Sequence, residues 1–293
     1  MAVTPGRRQR DVATTSVRRG RDGGPGPDGH GRDGPGPQPG RVRTGAGDGV
    51  TRQSGGVLWD GPRIELLRGF EATGEGHRIA LPVSAQHLLA FLALHDGGVP
   101  RGAVAERLWP DCTQRRAAAN LRTALYHARL RGRAIPVESP GQWLRLAPAV
   151  RVDLRYARRS ARQVVAGLDR LPVNCDAIVD DLAAELLPGW EEEWLTLERE
   201  RWDQLRLYAL EGLAHQLCDA ERYLSALQTA LAAIAIDPVR ETAHRIVVEV
   251  HLAEGNLASA LRSYQHYRSF LQRELNVAPS PKMTGLVRNL QRM

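Results

Sequence analysis

Residues 101–133 contain the pattern that most restricts the fold: a short helix, a tight break and a longer basic helix. Pro110 ends the first helix near Trp109, because the residue before a proline is pushed out of the helical region. Small and apolar residues then recur at helical spacing, at Ala117, Leu121, Leu125 and Ala128. The pattern predicts two helices that meet at a turn, the second spanning about Thr113 to Arg131 with Asp111 or Thr113 as its cap.

The opposite side of this second helix is polar and cationic. It carries Arg116, Asn120, Thr123 and His127, with Arg115, Arg122 and Arg129 at its margins. A helix that is anchored by its back and offers donors and positive charge at its front can enter the DNA major groove. The alternative is an ordinary amphipathic helix with a solvated arginine face.

Each polar residue type on this face has a definite recognition chemistry. Arg116, Arg122 and Arg129 can bind phosphate or a guanine edge because guanidinium is bidentate. Asn120 can read adenine, and Thr123 and His127 can make adaptable polar contacts. Gln114 and the first N–H groups of the helix are expected to contact a backbone phosphate. Arg133 and Arg145 are expected to supply positive charge beside this helix.

The charge of the chain changes sign along its length. The net charge is +7, and residues 57–150 carry twelve Arg against eight acidic residues. Residues 151–293 carry eighteen basic against twenty acidic residues. A polyanionic partner is therefore expected for the middle segment, and a different partner for the last one.

Three segments follow from composition and periodicity. Residues 1–56 are dominated by Gly, Pro, Arg and Asp and are predicted to be disordered, because they hold too few large apolar side chains to offset the entropy of ordering. Residues 57–153 combine short strands, three helices and a terminal hairpin, which indicates a winged helix-turn-helix. Residues 154–293 are almost entirely helical in pattern. The predicted fold class is mainly α with a small α+β domain.

The helical segment contains an internal repeat. Tyr-Leu-Ser-Ala-Leu at 223–227 and Leu-Ala-Ser-Ala-Leu at 257–261 lie 34 residues apart. This is the period of tetratricopeptide repeats, whose helix pairs stack on a shared core. Glu221 stands where Gly255 sits in the later copy, so the match is imperfect.

Several classes of protein are disfavoured. Three widely spaced cysteines indicate reduced thiols in a cytoplasmic protein. No metal-type His/Cys spacing appears, and no apolar run reaches the ~20 residues of a membrane helix. The sequence also lacks G-x-x-x-x-G-K-[ST] and G-x-S-x-G, so we expect neither an enzyme nor a bound cofactor.

Three groups of residues, taken in order, form a specific combination. They are Leu108-Trp109-Pro110-Asp111 with Asn120-Leu121-Arg122-Thr123-Ala124-Leu125; Leu187-Pro188-Gly189-Trp190 with Trp194 and Glu198-Arg199; and Asp237-Pro238 through Glu254-Gly255-Asn256, Tyr264 and Tyr267 to Pro279-Ser280. Across residues 57–280 the chain thereby resembles the actinobacterial antibiotic regulatory proteins. These transcriptional activators carry a winged helix followed by a helical bacterial transcriptional activator domain.

The resemblance implies a sequence-specific activator that binds direct repeats in promoter DNA, often of secondary-metabolite genes, and engages RNA polymerase. It further implies a dimer on double-stranded DNA and a cytoplasmic, nucleoid-associated protein. The alternative is a protein-interaction adaptor, in which the helical repeats bind a partner and the winged helix is a docking module.

One departure from the family pattern concerns the wing. The hairpin reads Val-Glu-Ser-Pro-Gly-Gln-Trp, with Glu138 where the family often carries a basic residue. Phosphates repel a carboxylate. We therefore expect this wing not to insert in the usual way.

Overall fold

The computed structural model describes residues 61–129, 135–167 and 171–288. The predicted disordered tail at 1–56, the start of the second segment and Arg133 therefore lie outside the described residues. Within them, ten helices and seven short strands are present. The prediction of a mainly helical chain with a small α+β part near its beginning is confirmed.

The α+β part surrounds three helices with two small sheets. Its elements are β1 (Arg63–Glu65), β2 (Glu71–Gly74), β3 (His77–Arg78), α1 (Val83–Leu94), β4 (Val99–Pro100), α2 (Arg101–Leu108), α3 (Gln114–Arg129), β5 (Val137–Glu138), β6 (Trp143–Leu146) and β7 (Arg151–Val152). The strand orders are β3-β2-β1-β7 and β4-β6-β5. β1 and β7 pair in parallel, while the other pairs are antiparallel. The β5–β6 hairpin is the predicted wing.

Helix α3 forms as its sequence predicts. Thr113 Oγ1 accepts the backbone N–H of Arg116 at 3.4 Å, so Thr113 rather than Asp111 supplies the side-chain cap. The side facing the core is small and apolar, and consists of Ala117, Leu121, Ala124, Leu125 and Ala128. These residues pack against α1 and α2, which fixes the rotation of α3 about its axis.

The remaining described residues form a helical array. Its elements are α4 (Asp153–Val165), α5 (Cys175–Ala183), α6 (Glu193–Asp219), α7 (Tyr223–Ile236), α8 (Glu241–Ala253), α9 (Leu257–Glu274) and α10 (Pro281–Arg288). Helices α6 to α9 pack in sequence, each against the next. This is the stacking expected of helix-pair repeats.

The 34-residue repeat is present in three dimensions. α7 and α9 begin at Tyr223 and Leu257, the first residues of the two repeated pentapeptides. Each equivalent pair of core residues is buried: Ala226 with Ala260, Ala230 with Tyr264, and Ala233 with Tyr267. The repeat therefore marks positions that face the same core.

The two repeat units also share one turn. Glu221 and Gly255 both have positive φ, of 59° and 80°. The next residue closes a six-residue turn in each copy, with Arg222 N–H donating to Leu217 at 2.9 Å and Asn256 N–H donating to His251 at 2.8 Å. This is the Schellman arrangement that satisfies helix-terminal carbonyls. Glu221 thus adopts a conformation that favours glycine.

The α+β part and the helical array share one core. Leu67 and Leu186 form a backbone bridge between them. Buried apolar side chains from both parts, with members from Ile64 to Val250, form one cluster. A smaller core under α8, α9 and α10 includes Tyr264, Tyr267 and Met283. α3 is consequently held at a fixed angle to the helical array.

Aromatic rings and ion pairs reinforce this junction. Trp190 packs on Phe70 and His87, with ring centroids 5.9 Å and 4.6 Å apart. Trp194 packs edge-on against Phe91 at 5.3 Å. Across the junction, Arg155 of α4 pairs with Asp96, which follows α1, at 2.5 Å. Within the array, Arg158 of α4 reaches the carboxylate of Glu198 on α6 at 2.8 Å. These contacts give Trp190, Trp194 and Glu198 a structural role.

Candidate nucleic-acid interface

The outward side of α3 carries three exposed arginines. Arg115, Arg116 and Arg122 are exposed, as is Thr123. None of the hydrogen bonds or ion pairs among the described residues involves the side chain of any of these arginines. Their positive charge is therefore open to a partner outside the described part of the chain.

The most exposed line of α3 is rotated from the predicted one. Asn120 and His127 are half-buried at the edge of the face, whereas Tyr126 is 61% exposed near its centre. Asn120 Nδ2 lies 3.9 Å from Cys112 Sγ, a long and weak contact. The His127 ring packs against Tyr126, with centroids 5.6 Å apart.

Tyr126 is not among the candidate DNA-binding residues predicted from the sequence, although its helical position predicts that it faces outward. It follows Leu121 by five residues, which is a rotation of about 500° at 3.6 residues per turn and therefore opposite the buried side. The outward line includes Arg115, Arg122 and Tyr126, with Arg116 and Thr123 beside it. Gln114 is exposed at the first position of the helix.

Two of the predicted cationic contacts are already engaged within the protein. Arg129 Nη2 donates to the Val137 carbonyl at 3.1 Å and to Ser139 Oγ at 2.9 Å. Arg145 pairs with Glu138, with both Nε and Nη2 at 2.7 Å from Oε2. Arg129 therefore ties α3 to the wing, and the strand pair of the wing carries a neutralised charge.

The described residues hold no cluster of three or more His, Cys, Asp or Glu side chains that could bind a metal ion. Cys112, Cys175 and Cys218 are free thiols. Among the helices of residues 61–129, 135–167 and 171–288, each is too short or too polar to cross a bilayer.

Known proteins place this geometry in context. Residues 177–291 match the bacterial transcriptional activator domain. The match confirms the bacterial transcriptional activator domain that the sequence predicts in this part of the chain. The activator domain, as we call residues 177–291, is a domain of transcriptional regulators rather than of enzymes.

A solved structure shares the fold more widely. EmbR from Mycobacterium tuberculosis, in complex with a low-affinity phosphopeptide, superposes with a TM-score of 0.57 at 17% identity, over 79% of this chain and 65% of the EmbR chain. This chain thus spans less than two thirds of the EmbR chain. No curated protein sequence matches the chain.

Proposed function

We propose that this chain is a sequence-specific, DNA-binding transcriptional activator that uses α3 as its recognition helix. The observation that carries the proposal is the set of three exposed arginines that have no side-chain partner among the described residues, on a helix whose opposite side is buried. A cationic front and a clamped back are what groove binding requires. The match to the activator domain supports the regulatory role.

The contacts divide by chemistry and position. Arg115, Arg116 and Arg122 are proposed to bind guanine edges or phosphates, and Thr123 to make a polar base contact. Tyr126 extends this line, with a hydroxyl that can donate to phosphate. Gln114 and the N-terminal N–H groups of α3 are proposed to fix the helix on the backbone.

The remaining candidates are proposed to contribute less. Asn120 and His127 lie at the edge of the face. Arg129 and Arg145 already donate hydrogen bonds to groups within the protein. Arg133 is kept as a flanking cation on sequence grounds alone. With Glu138 neutralising Arg145, the wing offers little net attraction to phosphate.

The biological setting is carried by the family resemblance. It comprises direct repeats in promoters of secondary-metabolite genes, engagement of RNA polymerase, a dimer on DNA and a nucleoid-associated location in the cytoplasm. The charge balance agrees with this division of labour, since residues 57–150 are basic and residues 151–293 are slightly acidic.

The test is selection of duplexes from a random library by the full chain, followed by affinity measurements on the selected site. Arg122→Ala is expected to weaken specific binding by about tenfold or more, since a bidentate base contact is worth about 1–3 kcal/mol. Arg273→Ala, an exposed arginine on α9, is the matched control for loss of charge and should leave affinity nearly unchanged.

Salt dependence and stability complete the test. The affinity should fall by about one log unit per log of salt for each phosphate neutralised. Thermal unfolding of Arg122→Ala should match the wild type, because the exposed Arg122 side chain makes no hydrogen bond or ion pair with the described residues. A flat salt response, or equal affinity of Arg122→Ala and the wild type, would reject α3 as the reading element. It would then favour the adaptor.

A further inference from the structure

A cleft lies between α2 and the first half of α3. It encloses about 540 Å³, within the ~300–1,000 Å³ of small-molecule sites in proteins. Its floor is apolar, since Ala105, Ala117 and Leu121 are buried there. The indole of the half-buried Trp109 forms part of its wall. The cleft therefore offers apolar contact to a flat, ring-sized group.

The polar lining of the cleft is cationic. Arg101, Arg115 and Arg122 line it together with a single carboxylate, that of Glu106. The side chains of these three arginines take part in none of the hydrogen bonds or ion pairs found among the described residues. The Arg101 N–H donates to the Gln142 carbonyl at 2.8 Å, which holds the start of α2 against the wing at one end of the cleft.

An apolar floor beside a cationic lining is not needed to bind the phosphates of a DNA backbone. Phosphates of a duplex are bound by surface cations and N–H groups, and they gain nothing from a buried alanine–leucine floor or an indole wall. A ring that carries an acidic group uses both parts. The ring would contact Trp109 and the floor, and the acid would accept hydrogen bonds from the guanidinium groups.

We infer that the cleft binds a small aromatic anion, such as an aromatic carboxylate or sulfonate. Two of its arginines, Arg115 and Arg122, belong to the face proposed to bind DNA, so this inference rests on the proposed function. A bound ligand occupies their donors and stands in front of α3. Ligand and duplex therefore compete, and the ligand releases the protein from DNA.

The first experiment uses 1-anilinonaphthalene-8-sulfonate as the probe and the full chain as the receptor. Its emission rises in an apolar site, so a titration is expected to saturate at one site per chain. Gly102→Phe places a ring on the lining of the cleft, where a Cβ at Gly102 meets no atom within 4 Å. This variant should weaken probe binding by tenfold or more.

The matched control is Gly285→Phe on α10, where a Cβ also has open space. It should bind the probe as the wild type does. Equal probe binding by Gly102→Phe and Gly285→Phe, or no saturable binding by the wild type, would overturn the inference. Arg101→Ala, which removes a cation of the cleft outside α3, should also weaken probe binding.

The second experiment separates the inference from the proposed function. A selected duplex should displace the probe from the wild type in proportion to its occupancy. Duplex binding without probe binding overturns the inference that the cleft binds a ligand and leaves the proposed function standing. Probe binding that depends on Gly102, together with no duplex binding, supports the cleft and overturns the proposed function. Simultaneous binding of both overturns the competition.

Discussion

At the scale of single residues, arginine has two distinct uses in this chain. Arg199 donates to the carbonyls of Leu186 and Trp190 at 2.9 Å and 2.7 Å, and thereby closes the turn before α6. Arg115, Arg116 and Arg122 meet no such partner among the described residues. Since 39 of the 40 basic residues are Arg, residue type alone does not separate the two uses. Their partners do.

Asp153 joins the small sheet to the first helix of the array. Its carboxylate accepts the N–H groups of Leu66, at 2.9 Å and 3.0 Å, and of Leu67, at 2.9 Å. It also accepts the N–H of Leu154 at 2.7 Å, at the start of α4. Burial raises the pKa of Asp153 to about 6, although these N–H donors act in the opposite direction.

This pKa makes the stability of the protein depend on pH in a defined direction. The unfolded chain has an Asp pKa of about 4, so the folded chain binds more protons between pH 4 and 6. The contribution of Asp153 to the unfolding free energy therefore falls as pH rises through that window, by up to about 3 kcal/mol. Asp153→Asn does not titrate.

Urea unfolding of wild type and Asp153→Asn at pH 4, 5, 6 and 7 checks this expectation. The variant loses an acceptor and is expected to be the less stable protein at pH 4. Its deficit should shrink as pH rises, and the change should be complete just above pH 6. A difference between the two proteins that stays constant with pH would contradict the raised pKa.

At the scale of elements, the shared turn of the two repeat units carries a measurable strain. A non-glycine residue with positive φ costs roughly 1 kcal/mol or more relative to glycine. Glu221→Gly should therefore raise the unfolding free energy by about 1 kcal/mol. Asp219→Gly, two residues earlier at the end of α6, should lower it by a similar amount, because glycine weakens a helix.

Chemical denaturation of the two glycine variants measures both values under the same conditions. A loss of stability in both variants would mean that the Glu221 side chain contributes more than its backbone conformation costs. Equal stability in all three proteins would show that neither position limits the end of α6.

Sequence reasoning succeeded where periodicity is long and failed where partners are distant. The buried side of α3 and the 34-residue repeat were predicted, since each depends on spacing along one helix. The partners of Arg129 and Arg145 were missed, because strand pairing in a short hairpin fixes them. The rotation of Asn120 out of the front was also missed, since it depends on Ala124, which the apolar pattern had omitted.

The parallel pairing of β1 with β7 shows the same limit. These strands are three and two residues long and lie some 90 positions apart, so no local pattern reveals their contact. Asp153 follows directly after β7, and its role therefore also depends on this pairing. Long-range backbone contacts of this kind carry no periodic signal.

At the scale of the whole molecule, the core shared by the α+β part and the helical array predicts that these two parts unfold together. One cooperative transition is expected on heating. Trp190→Ala removes a ring that spans the junction and should cost about 3 kcal/mol, the lower end for a Trp truncation because Trp190 is only half-buried. For a chain of this size, that loss lowers Tm by roughly 6–12 °C.

Differential scanning calorimetry tests both expectations. Trp143→Ala, on the exposed wing strand, is the control and should melt close to the wild type. Two separate transitions in the wild type would contradict a shared core. An unchanged Tm in Trp190→Ala would show that the aromatic contacts at the junction do not hold the two parts together.

The backbone bridge between Leu67 and Leu186 has a consequence for promoter architecture. Because this contact fixes the orientation of the activator domain relative to α3, the position of α3 in the groove would determine on which side of the duplex the activator domain lies. B-DNA turns once in about 10–10.5 base pairs. In the proposed complex, inserting about five base pairs between operator and core promoter carries the activator domain to the far side of the double helix, while occupancy of the operator stays the same. Transcription should then oscillate with helical phase.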